Sequence, residues 1–136
     1  ARKVALASGV PLIEDDYDPD AWTALTWKFK DEPEKGRRCD VCYAARLGRT
    51  AARAAREGFD AFATVMSLSP WKKAAVMNRI GRQFAARHGV AFLEADFKKK
   101  DGFKKSVDLS RAHGLYRQDY CGCVYSRDAA RKRRSS

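Results

Sequence analysis

The sequence predicts an α/β fold, a Rossmann-like parallel sheet with flanking helices. Three observations carry that expectation. Short apolar runs at Val10–Ile13, Phe59–Met66 and Val90–Ala95 alternate with segments of helical period. Gly9, Gly58 and Gly89 stand where the helices must stop. Polar stretches then follow each run: Asp15-Asp16-Tyr17-Asp18, Ser67-Leu68-Ser69-Pro70 and Asp96-Phe97-Lys98-Lys99-Lys100. Open parallel sheets bind their ligands at such carboxyl ends.

Each element has its own signal. Ala1–Ser8 reads as the last turns of a helix ended by Gly9, and Val10–Ile13 as a short buried strand. Asp18-Pro19 is a cap with proline at the first helical position, opening a short helix through Trp22 and Leu25 toward Phe29. Residues 31–36 form a loop. A long helix follows from Cys39 to Glu57, with Val41, Ala45, Ala52 and Ala55 among its apolar positions. Phe59–Met66 is the second strand. The next helix carries Val76, Ile80, Phe84 and Ala85 at helical spacing, and Val90–Ala95 is the third strand. A last helix spans Gly102–Ala112 with Phe103, Val107 and Leu109 buried. Residues 115–126 read as an aromatic-rich loop. Three strands make a narrow sheet, and the first helix starts without a strand before it. An N-terminal βα unit is therefore expected to be missing. Residues 1–126 are expected to form one α/β metal-binding domain, and residues 127–136 a basic disordered tail.

The 136 residues are 45% hydrophobic and 11% aromatic, enough for a core and too apolar for wholesale disorder. Apolar runs stay well short of the ~20 residues that a membrane-spanning helix needs. A soluble, cytoplasmic protein with no membrane partner is the expectation. Lys and Arg number 28 against 17 Asp and Glu, a net charge of +11. The tail holds five of these cations against Asp128, so the rest of the chain is basic in its own right. A polyanion is the natural partner, with nucleic acid the first candidate.

All four cysteines fall in two tight pairs, Cys39-Asp40-Val41-Cys42 and Cys121-Gly122-Cys123. C-x2-C can point two thiolates at one metal from a helix start, and C-x-C can do so through a turn at its glycine. Arg37, Arg38 and a helix N-terminus beside Cys39 favour the thiolate form. Spacing favours a metal over inert thiols or a redox dithiol, and leaves structural zinc and an iron–sulfur site both open. His88 and His113 each precede a glycine at a helix end, where capping explains them.

Several segments together carry a resemblance. These are Asp16-Tyr17-Asp18-Pro19 with Trp22, Glu32-Pro33-Glu34-Lys35-Gly36-Arg37-Arg38-Cys39 through Cys42-Tyr43, and Arg46-Leu47. Gly58-Phe59-Asp60, Leu68-Ser69-Pro70, Asp96-Phe97-Lys98-Lys99 and Asp101-Gly102-Phe103 follow. Leu115-Tyr116-Arg117-Gln118-Asp119-Tyr120-Cys121-Gly122-Cys123 and Tyr125-Ser126 complete the set. In this order the chain resembles the epoxyqueuosine reductase QueH family nearly throughout, up to Ser126. The resemblance implies reduction of epoxyqueuosine to queuosine in tRNA, at a cysteine-held 4Fe-4S cluster with an additional iron ion and fed by an external electron donor. It implies Cys39, Cys42, Cys121 and Cys123 as metal ligands. Arg117 and Tyr120 become candidate donors to the oxygen that leaves. Lys98, Lys99, Lys100, Lys104 and Lys105 become candidates for the tRNA backbone, and Trp71, Phe103, Tyr116 and Tyr120 for base stacking. Family members carry a further cysteine-containing strand at their start, which is not in this sequence and would add ligands. The alternative from another class is a zinc-stabilised RNA-binding α/β module without redox activity. A thiol redox protein built on Cys-x-x-Cys is a third.

Overall fold

A computed structural model describes residues 1–136. It is a helical protein around a small parallel sheet, an α/β architecture. In chain order, α1 spans Arg2–Ser8, α2 Pro19–Thr26 with a 3-10 turn at Trp27–Phe29, and α3 Arg37–Arg56. Then come β1 at Ala61–Phe62, a 3-10 turn at Met66–Leu68, α4 at Ala74–His88 and β2 at Ala91–Phe92. Finally α5 spans Gly102–Ala112 and α6 Val124–Ser135. The strands pair in parallel, Ala61 opposite Ala91 and Phe62 opposite Phe92, joined by α4 as the crossover.

The expected helix signals work as local chemistry. Asp18 caps α2 by accepting from the Ala21 N–H at 2.9 Å, and Pro19 occupies the first position. Gly89 ends α4 in the left-handed region. The core is the seam between α3 and α4. From α3 it takes Tyr43, Leu47, Ala51 and Ala54, one stripe at helical spacing. Met77 and Ile80 face it from α4, and Phe62 and Val90 close the sheet end. Gly81 lets β2 approach α4, since a Cβ there would lie 2.4 Å from the Phe92 ring.

Several expectations need correction. Of the apolar positions named on α3, Val41, Ala45 and Ala52 are half-buried and Ala55 is exposed. Alanine spacing alone could not choose between faces of so alanine-rich a helix. Val10–Ile13 is not a strand, and its apolar side chains are exposed. Pro11 removes a ladder donor in mid-run, and no neighbouring strand offers pairing. The other two runs pair over two residues each, so the sheet has two short strands instead of three. On α5, Phe103 and Leu109 are exposed and Val107 half-buried, because no element of the fold packs over that face.

The tail and the loop before it also differ from expectation. Residues 124–135 are one helix. The Cys123 side chain caps it by accepting from the Ser126 N–H, and Ala130 is buried at 3% exposure. Arg134 near its end hydrogen-bonds Asp119. The basic cluster that suggested disorder sits in the last turn, where cations complement the helix dipole.

Gly81→Ala forces a methyl into the Phe92 ring and is expected to cost about 1–3 kcal/mol by overpacking. Urea unfolding measures it, and a wild-type midpoint would show that the α4–β2 contact is loose.

Candidate functional site

The two cysteine pairs come from opposite ends of the sequence to one place. Cys39 and Cys42 lie in the first two turns of α3, Cys39 buried and Cys42 half-buried. Cys121 and Cys123 lie in the loop that caps α6, both half-buried. Between them Gly122 holds φ +102°, a turn that glycine makes without strain. All four are free thiols.

Arg38 fastens the two regions together. Its guanidinium is 6% exposed and donates to the carbonyls of Phe29, Lys30 and Glu32. It also lies 4.7 Å from the centre of the Tyr125 ring on α6. Trp22 of α2 packs against that ring at a tilt, with centroids 5.8 Å apart. α2, α3 and α6 therefore converge on one buried cation and two aromatic rings.

Every one of the four sulfurs receives an N–H donor. The Lys35 N–H points at Cys39 Sγ at 3.3 Å. Lys35 holds φ +71°, and this strained turn aims the donor. Cys42 Sγ accepts from the Trp22 indole at 3.3 Å and from Arg46 Nε at 3.5 Å. Cys121 Sγ accepts from the Lys72 ammonium. Cys123 Sγ accepts from the Ser126 N–H at 3.4 Å, with the Ser126 hydroxyl 3.3 Å away. Neutral thiols are weak acceptors, so convergent donors of this kind suit thiolates and metal-bound sulfur.

The charges are arranged to match. Cys121 and Cys123 shift each other's pKa in opposite directions. The hydrogen bond from Cys121 pulls the Cys123 thiol down to about 5; burial opposes this, while the Ser126 donors and the Arg38 charge assist. The Cys121 pKa is raised, first by the Cys123 side chain beside it and then by burial, with Lys72 opposing. For Lys72, burial alone would lower the pKa, but the hydrogen bond and charge of Cys121 outweigh it and raise it. Tyr43 is 2% exposed, and its phenol oxygen has no hydrogen-bond partner. Burial raises its pKa first, and the charges of Cys39, Cys121, Asp40 and Cys42 add to that, so it stays neutral. All but one of the cysteines thus act on this single phenol. Even so, no three His, Cys, Asp or Glu side chains gather closely enough to hold a metal ion. The donor chemistry fits a thiolate-bound metal, and the two pairs stand close together without closing into a ligand set.

A cleft of about 1160 Å³ opens beside the thiols. Its walls include Asp16, Trp22, Arg46, Arg49, Phe62 and Cys123. Trp22 and Arg46 are the same side chains that donate to Cys42, so the cleft ends at the sulfur site. Arg49 crosses it to pair with Asp15 at 2.7 Å, tying the segment before α2 to α3.

The remaining sequence-derived residues lie elsewhere. Arg117 donates to the Ser106 carbonyl and the Ser110 hydroxyl and lies over the Phe103 ring, on α5. Tyr120 is half-buried next to Cys121, and neither residue lines the cleft. Lys99, Lys100, Lys104 and Lys105 are exposed. Lys98 is half-buried and turned inward, to Asp96 at 2.9 Å and to the carbonyls of Ser67 and Lys72. The residue that sequence reasoning missed is Lys72. It lies two positions beyond Ser67-Leu68-Ser69-Pro70, the strand-end loop already marked as a ligand position. Extending that loop into the turn after the proline would have found it.

The family model described as epoxyqueuosine reductase QueH matches residues 1–129. Curated proteins named epoxyqueuosine reductase QueH are similar throughout this span. The one from Streptococcus pyogenes serotype M1 is 38% identical over 117 residues, 86% of this chain and 46% of that protein. The one from Acinetobacter baylyi is 35% identical over 128 residues, 93% of this chain and 59% of that protein. For Dehalococcoides mccartyi the figures are 39% over 125 residues, 92% and 65%. The chain spans about half the length of the curated relatives it matches. No helix is long and apolar enough to cross a membrane.

A Cys123 thiol near pKa 5 is expected to alkylate with iodoacetamide at half its maximal rate near pH 5 in the metal-free protein. Its thiolate adds stability fully above the ordinary thiol pKa of 9.0, and that contribution fades as pH falls through about 5. Ser126→Ala should move the alkylation midpoint upward. Mass spectrometry of the modified peptide reads it, and a wild-type midpoint in the ordinary thiol range would contradict the lowered Cys123 pKa.

Proposed function

The chain belongs to the epoxyqueuosine reductase QueH family, and from that premise we propose that it reduces epoxyqueuosine to queuosine in tRNA. The observation that carries the proposal is the set of N–H donors aimed at Cys39, Cys42, Cys121 and Cys123. These four thiols would hold their share of an iron–sulfur site, a 4Fe-4S cluster with an additional iron. When bound, such a group supplies single electrons and a Lewis-acidic position. The overall change balances as epoxide plus two electrons and two protons giving an alkene and water. The electrons come from an external donor.

The chain's own residues do the remaining work. The cleft admits the modified nucleoside up to the sulfur site. Lys72 holds a positive charge against Cys121, and Arg38 holds one near Cys123, which together offset the negative charge of thiolate ligands. Trp22 and Arg46 fix the Cys42 sulfur while forming the cleft wall. Tyr120, next to Cys121, is the proposed donor to the developing alkoxide, while Arg117 is held against α5 by Ser106 and Ser110 and would have to leave them to join it. Lys99, Lys100, Lys104 and Lys105 offer charge to the tRNA backbone, while Lys98 braces the loop from which Lys72 reaches Cys121. A tRNA substrate would be met in the cytoplasm.

The direct test is turnover. Iron- and sulfide-reconstituted chain, kept anaerobic with a strong one-electron reductant, is expected to remove one oxygen from the epoxyqueuosine of tRNA. Mass spectrometry of the digested nucleosides reads the loss. Unchanged epoxyqueuosine in the presence of a fully loaded protein would overturn the proposal.

A further inference from the structure

We propose that α6 is an RNA-contacting helix whose outward cations bind successive phosphates of the tRNA that reaches the cleft. This rests on the tRNA-reductase reading above and adds a surface to it. The first support is attachment. The Cys123 side chain caps α6, and Arg127, one turn further on, lines the same cleft as Cys123. The helix is held firmly at this end. Tyr125 packs against Trp22 and under Arg38, and Ser126 and Ala130 are buried. An RNA lying on α6 would therefore be in fixed register with the thiols.

The second support is charge. α6 carries Arg127, Arg131, Lys132, Arg133 and Arg134 against the single Asp128. Arg134 is occupied with Asp119 and Arg127 with Asp128. Arg131, Lys132 and Arg133 are exposed and take part in no ion pair.

The third support is the kind of cation. Four of the five are arginine, whose planar fork binds phosphate oxygens in pairs. Beyond Val124 the outward face has no large apolar side chain, so it lacks what a helix needs to enter a lipid surface. The family match ends at residue 129, so the cations from Arg131 onward lie outside it.

The test uses the full chain and the variant R131Q/K132Q/R133Q, which leaves the Arg134–Asp119 tie in place. Circular dichroism confirms that α6 persists, and R133Q alone serves as a milder variant should it not. Fluorescence anisotropy follows binding to tRNA between 50 and 200 mM salt. Losing three phosphate contacts is expected to flatten the plot of log affinity against log salt by about 2, and to weaken binding at least about tenfold at low salt. R133Q should lose roughly a third of that slope, and R131K/R133K should retain it. Affinity and slope unchanged in the triple variant would overturn the proposal, as would tighter binding to vesicles rich in phosphatidylserine than to tRNA. The reductase reading fails separately, by absence of turnover in a protein that still binds tRNA through α6.

Discussion

A sulfur anion in a half-buried place needs positive charge or N–H donors around it, and that requirement organises this molecule. Four elements far apart in sequence each contribute. The turn at Lys35 supplies Cys39, the indole of α2 supplies Cys42, the loop after β1 supplies Cys121, and the first turn of α6 supplies Cys123. Losing the Lys35 turn, the loop after β1 or the first turn of α6 would leave a sulfur without its donor, and losing α2 would leave Cys42 with Arg46 alone. The backbone strain at Lys35 and the burial of Arg38 are costs that make sense only in this setting.

Arg38 illustrates how the costs are offset. A guanidinium at 6% exposure must find acceptors, and three carbonyls at the end of the 27–32 segment provide them. The same cation faces the Tyr125 ring and lowers the Cys123 pKa. One buried charge thus closes the loop before α3, docks α6 and favours a thiolate. The rest of the protein has little spare stability for such work. Only 16 of 136 residues are buried, so the apolar seam between α3 and α4 is thin. A chain of this kind gains much from whatever its thiols bind, because ligand binding free energy is also folding free energy.

The sequence made some of this legible and concealed the rest for physical reasons. Helix ends were readable because caps are local: Asp18-Pro19, Gly58 and Gly89 each act on neighbours within a turn. The cysteine pairs were readable because close spacing constrains where two thiols can point. The core face of α3 was not legible, because the choice between Val41 and Tyr43 as core is made by α4, not by α3 itself. Val10–Ile13 looked like a strand because apolar runs are ambiguous without a pairing partner. The helical tail was hidden because its capping group is a cysteine, which composition assigns to metal and not to helix starts. Lys72 lies just past a loop that the sequence marks, but its role depends on a partner 49 positions away.

The central claim is that these donors surround metal-binding thiolates. Anaerobically purified chain, analysed for iron, sulfide and zinc together with its visible spectrum, tests it most directly. The account predicts iron and sulfide in stoichiometric amounts, a charge-transfer band between sulfur and iron, and loss of both on replacing Cys121 or Cys123 by alanine. Stoichiometric zinc with no such band, or full iron content in either alanine variant, would contradict it.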